Sequence, residues 1–71
     1  TISYNTNPTN SVINIDSKSR VKEINVYSIT GKLVERVIKA NSINIENVRP
    51  GIYVIEIITD EQKVQGKLIR K

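Results

Sequence analysis

Cysteine, histidine, methionine, tryptophan and phenylalanine are all absent from this 71-residue chain. Without Cys there is no disulfide and no thiolate metal centre. Without His there is no imidazole catalysis and no His-ligated zinc. A nucleophile would have to find its base among Lys and carboxylate side chains alone. Glycine occurs three times, at scattered positions, so no phosphate-cradling loop is present. The longest unbroken apolar stretch is Ile52-Tyr53-Val54-Ile55, far from the ~18 residues of a membrane-spanning helix. No signal-peptide pattern stands at the amino end. A chain of this length makes one domain, residues 1–71. Because it opens Thr1-Ile2-Ser3 rather than on Met, it is expected to be a piece excised from a larger protein, although simple removal of an initiator Met also fits.

What the chain has in quantity is β-branched side chains. Thirteen Ile, eight Val and five Thr stand against one Ala and two Leu, a composition that suits a pleated, half-buried surface and disfavours helix. The periodicity agrees, with short alternating runs at Ile2–Tyr4, Ser11–Asp16, Val21–Ile29, Lys32–Ile38, Ser42–Glu46, Ile52–Thr59 and Lys63–Arg70. Ile13 and Ile15 share one face. Ile24 and Val26 face one way, Tyr27 and Ile29 the other. Ile52–Thr59 is the richest run and the best candidate for a central strand. Gly31–Lys39 also carries helical spacing in Leu33, Val34, Val37 and Ile38. Its shortness, its lack of a C-terminal Gly and the turn before it favour a strand.

Turn chemistry separates the runs. Thr30-Gly31 reads as a hairpin turn in which Gly supplies positive φ. Asn47-Val48-Arg49-Pro50-Gly51 reads as a β-turn, and Asp60-Glu61-Gln62 as a short polar hairpin loop. Six or seven strands at a spacing of roughly 8–12 residues argue for an antiparallel β-sandwich.

The charge is unevenly distributed. Of 11 basic and 7 acidic residues, the first 62 positions hold seven of each, so the net +4 resides in Lys63, Lys67, Arg70 and Lys71. Nucleic-acid binding is not expected, because Tyr4, Tyr27 and Tyr53 are the only aromatics and none adjoins the basic end. The cationic segment fits a solvated edge strand whose lysines discourage edge pairing. It also fits a terminal strand that a partner recognises. No catalytic residue and no metal site is expected: the carboxylates mostly alternate with apolar residues, and Asp60-Glu61 is too small a cluster for a Ca²⁺ cage. Glu56 is the least ordinary acid. If Tyr53, Ile55 and Ile57 face the core, Glu56 shares the other face with Ile52, Val54 and Ile58, where Lys67 or Lys63 can pair with it across strands.

The order of these signals resembles a known family, the C-terminal sorting domain (type A) of proteins exported by the type IX secretion system of Gram-negative bacteria. The resemblance covers nearly the whole chain. Asn7-Pro8-Thr9 and Val12-Ile13-Asn14-Ile15 are followed by Ile24-Asn25-Val26-Tyr27-Ser28-Ile29-Thr30-Gly31-Lys32-Leu33-Val34. Then come Ser42-Ile43-Asn44-Ile45, Val48-Arg49-Pro50-Gly51-Ile52-Tyr53-Val54-Ile55-Glu56-Ile57 and the basic ending Lys67-Leu68-Ile69-Arg70-Lys71. The family's Pro-Asn-Pro after an aromatic residue is here Tyr4-Asn5-Thr6-Asn7-Pro8, without the first Pro.

The resemblance implies an immunoglobulin-like β-sandwich of about seven short strands and a non-enzymatic role without cofactors. That role is a folded address on a covalently linked cargo, which reaches the periplasm by a separate amino-terminal signal. The outer-membrane type IX translocon would read the address and a sortase-like protease would commonly remove it, leaving the cargo secreted or at the cell surface. Lys67, Leu68, Ile69, Arg70 and Lys71 are then the expected recognition residues, and no direct membrane insertion is expected. Asn7, Pro8, Gly31, Pro50, Gly51 and Tyr53 are assigned to folding. The alternative is an immunoglobulin-like accessory module of a secreted enzyme, binding carbohydrate or acting as a spacer.

Overall fold

The computed structural model describes residues 2–4 and 11–71. Seven strands follow in chain order: β1 (Ile2–Tyr4), β2 (Val12–Ser17), β3 (Val21–Ser28), β4 (Leu33–Ile38), β5 (Ser42–Asn44), β6 (Gly51–Thr59) and β7 (Lys63–Arg70). They form two antiparallel sheets, one ordered β1-β2-β5 and the other β4-β3-β6-β7. The chain is therefore all-β, a sandwich of seven short strands. Strands one, two and five lie in one layer and three, six and seven in the other, as in immunoglobulin-like sandwiches. The fourth strand pairs with the third and so belongs to the larger sheet.

Alternation decides which side chains meet between the layers. Ile13 and Ile15 on β2 and Ile43 on β5 point inward from the small sheet, with Ile13 directly opposite Ile43. From the large sheet Ile24, Val26, Ile55, Ile57 and Leu68 point back at them, each essentially inaccessible to solvent. Ile24 pairs with Ile57 and Val26 with Ile55. Ile45 and Val48 close the core from the segment after β5. The run expected to be central is β6, hydrogen-bonded on both sides.

The turns follow local chemistry. Between β3 and β4, Gly31 takes φ +92°, a conformation in which a Cβ would be strained. Its N–H donates to Ser28 O at 2.9 Å, and the Ser28 N–H donates to Lys32 O at 2.8 Å. That hairpin holds residues 33–38 as an edge strand, so the helical spacing there is not used. Ile29, expected as a strand residue, sits in the turn and is 75% exposed. The Asp60–Gln62 loop is capped by Thr59, whose Oγ1 accepts from the N–H groups of Glu61 and Gln62 at 3.2 and 3.1 Å.

One turn lies elsewhere than expected. The chain reverses over Ile45–Val48, where the Val48 N–H donates to Ile45 O at 2.9 Å, and not over Asn47–Gly51. Asn44 Oδ1 captures the Glu46 N–H at 2.9 Å, a local bond that starts the turn early. Ile45 and Val48 are both buried, which fixes its two ends. Pro50 then precedes a strand that Gly51 opens.

Tyr53 stands near the start of β6 and its hydroxyl donates to Arg49 O at 2.6 Å, with the ring against Gly51. A tyrosine at the start of the sixth strand that bonds back to the preceding corner is a hallmark of immunoglobulin-like sandwiches. On the other side, Tyr4 of β1 reaches over β7, its hydroxyl filling the space where a Cβ would stand at Gly66. The contact ties the small sheet to the last strand of the large one. Asn7 and Pro8, assigned to folding from the sequence, lie outside the described residues.

The Tyr53 bond is testable. Tyr53→Phe removes one hydrogen bond and costs about 1 kcal/mol, which lowers Tm by roughly 4–8 °C in a domain of this size. Thermal denaturation followed by circular dichroism reads the shift, and an unchanged Tm would mean that the corner does not depend on the hydroxyl.

Candidate functional site

The outer face of the four-stranded sheet carries a polar network that crosses all four strands. Asn25 on β3 is 2% exposed, and its Nδ2 donates to Glu23 Oε2 at 2.6 Å and to Glu56 Oε1 at 3.0 Å. Glu56 on β6 also accepts from Gln65 Nε2 of β7 at 3.0 Å and from the Tyr27 hydroxyl at 3.3 Å. Arg36 on β4 completes the chain of contacts with a 3.0 Å ion pair to Glu23. Lys63 is the lysine that approaches Glu56, at 3.9 Å, a loose contact beside the hydrogen bonds.

These bonds set the titration of the acids. Hydrogen bonds from Gln65 and then Asn25 hold the Glu56 carboxyl below the usual carboxylate range, against the desolvation of its buried position. The Asn25 amide does the same for Glu23, with help from Arg36. Burial beside Glu56 pushes the Tyr27 phenol up. A carboxyl used as a general acid at neutral pH needs its pKa raised, and both of these are lowered. Their hydrogen bonds and the Arg36 ion pair join β4, β3, β6 and β7, so the two acids form a clamp across the strands. Among the described residues no group of three His, Cys, Asp or Glu side chains is placed to hold a metal ion.

Hairpin register explains why the sequence pointed to lysine partners and missed the amides. Counting back from the Asp60–Gln62 loop places Gln65 directly opposite Glu56, with Lys63 and Lys67 on the diagonals. Asn25 lies opposite Glu56 on the other flank, a pairing that depends on the β3–β6 alignment and has no local signal.

β7 holds the residues singled out for recognition. It pairs only with β6 among the described residues, so its other edge is open along eight residues. Lys67 points to the outer face opposite Val54, and neither Lys67 nor Lys71 has an ion pair among the described residues. Ile69 lies outward beside Ile52. Leu68 belongs to the core, with no exposed surface, so its side chain cannot meet a partner while the domain is folded. Arg70 turns toward the neighbouring loop, where its Nε donates to Val48 O at 3.3 Å. The five residues therefore divide into an outward set and an anchoring set. Gly31 lies in the β3–β4 turn, Pro50 immediately precedes β6, and Gly51 and Tyr53 lie in its first three residues.

A family model described as the Secretion system C-terminal sorting domain matches residues 6–71. The chain belongs to this family. No curated protein matches it. The domain is thus a sorting signal of the type IX secretion system, and its family is not an enzymatic one. Such a sorting tail is carried by secreted or cell-surface proteins and works by interaction with the secretion system.

The clamp predicts a pH response. Because hydrogen bonds hold the Glu56 and Glu23 carboxyls below the ordinary glutamate value of 4.5, their contribution to stability is complete above that value. It is lost as pH falls below it, through the folded pKa values. Tm should fall on acidification below about pH 4.5. Glu56→Gln should flatten that fall, while lowering Tm at pH 7. An equally steep acid limb in the variant would assign the acid sensitivity to other carboxylates.

Proposed function

We propose that this domain is the carboxy-terminal address of a larger exported protein, read by the outer-membrane type IX translocon through β7 and then cut away by a sortase-like protease. The observation that carries this reading is the open, cationic edge of the last strand. An extended strand with a free edge can add to a partner's sheet by main-chain hydrogen bonds, which supply affinity without depending on side-chain identity. Lys67 and Lys71, free of ion pairs among the described residues, steer the strand toward an acidic surface and fix its orientation on arrival. With Leu68 directed into the core, the partner reads backbone on one side and the outward side chains Lys67 and Ile69 on the other.

Cleavage separates address from cargo and needs no chemistry from the domain itself. The unit proposed to carry the signal is the domain of residues 1–71, of which residues 6–71 match the family. The cargo's route through the periplasm belongs to the same proposal.

The test is surface export of a fluorescent cargo fused to the chain. Removal of residues 67–71 should abolish export, but it also removes a core side chain. The paired charge reversals Lys67→Glu and Lys71→Glu leave the core intact. They should lower export about tenfold while Tm stays near the wild-type value. Export undiminished in both the truncated and the charge-reversed fusion would overturn recognition through the strand.

A further inference from the structure

The outer face of the four-stranded sheet has two different halves. Around Glu56 it is polar, with Asn25, Tyr27 and Gln65 all donating to the Glu56 carboxylate. Toward the β3–β4 turn the face becomes aliphatic. One row there runs Leu33, Tyr27, Val54 and Lys67 across the four strands, and the next holds Ile52 beside Ile69. Ile29 overhangs from the turn. Ile29 is 75% exposed, Leu33 44% and Ile52 52%. Tyr27, Ser28, Ile29, Gly31, Val54, Glu56 and Gln65 line a shallow hollow of about 350 Å³ where this half meets the polar one. Exposed aliphatic side chains gathered at one end of one sheet face are a feature of interaction sites.

The charge around the patch identifies what fits it. These two rows contain no carboxylate; the neighbouring Glu56 is already bonded to Asn25, Tyr27 and Gln65. Lys67 lies within the patch, and Lys32 and Lys71 stand at the ends of the strands that border it. The surface is thus aliphatic at its centre and cationic at its rim. It is concave on the side toward Glu56, where Ile29 and Val54 are the aliphatic walls of the hollow. A surface that rests on lipid pushes apolar side chains outward into the acyl boundary, whereas a hollow receives a side chain from a partner.

We propose that this aliphatic half of the outer face is a docking site for an extended segment of a partner protein that carries aliphatic side chains flanked by carboxylates. The proposal rests on the sorting-signal reading and adds a second contact to it, made by side chains on the sheet face rather than by backbone along the β7 edge. Ile69 and Lys67 belong to both, so a segment that pairs with β7 lies beside the hollow and can place a side chain in it.

The experiment uses the fluorescent cargo fusion with three substitutions. Ile29→Glu and Ile52→Glu put a charge into the patch at exposed positions where folding is little affected. Ile38→Glu does the same at the far end of the same face, where Ile38 is 59% exposed. The first two should each lower surface export about fivefold or more, and the third should leave it unchanged. Circular dichroism of the three variants should give Tm values near that of the parent chain. Export of both patch variants at the parent level would overturn the docking site and leave the sorting reading standing. If the parent fusion itself were not exported, the sorting reading would fall and this site with it. Sedimentation of the chain with phosphatidylglycerol–phosphatidylethanolamine vesicles, abolished by Ile29→Glu, would replace the protein partner with a membrane.

Discussion

The register in which β6 lies against β3 sets Ile24 opposite Ile57 and Val26 opposite Ile55 on the inner face. The same register sets Asn25 opposite Glu56 on the outer one. A slip of one residue would carry the aliphatic pair of one of these strands to solvent and push that strand's amide or carboxylate between the sheets. Everything else depends on this alignment. β4 and β7 attach to the two strands that it joins, and the small sheet packs on the isoleucines that it turns inward. Two bulges, between Val21 and Glu23 against β6 and between Val26 and Tyr27 against β4, let the central pair twist without losing that register.

The polar clamp supports the alignment from the other side. Nδ2 of Asn25 serves two carboxylates at once, and each acid is answered by a cation at one end of the row, Arg36 on β4 or Lys63 on β7. Asn25 Oδ1 is buried with no hydrogen-bond partner among the described residues, a cost that the bonds of Nδ2 must offset. An apolar residue would pack more favourably there, but it would not distinguish one register from another. Clamp and core thus constrain the same pair of strands through different chemistry.

Much of this was legible in the residues themselves. Period-two runs located all seven strands, because alternation is a local property and the chain offers few residues that favour helix. Gly31 and the Asp60–Gln62 loop announced their turns for the same reason. The turn after β5 was misplaced because Pro50-Gly51 is the louder local signal, while the burial of Ile45 and Val48 decides the geometry. Among the recognition candidates, charge drew attention to the whole ending Lys67–Lys71. Alternation within the strand then separated Leu68, which the core claims, from Lys67 and Ile69, which it leaves outside. The Asn25–Glu56–Gln65 contacts needed two strand registers at once, and the hollow beside Tyr27 needed the sheet to be assembled.

Gly66 gives the last strand an inner face with a gap between Val64 and Leu68, and Tyr4 of the first strand fills it. The two ends of the chain therefore share one side chain. Stripping β7 from the sheet would leave the Tyr4 ring without its seat, and withdrawing β1 would leave a ring-sized hole above β7. Whatever handles one terminus of this domain is felt at the other, through a contact no larger than a phenol.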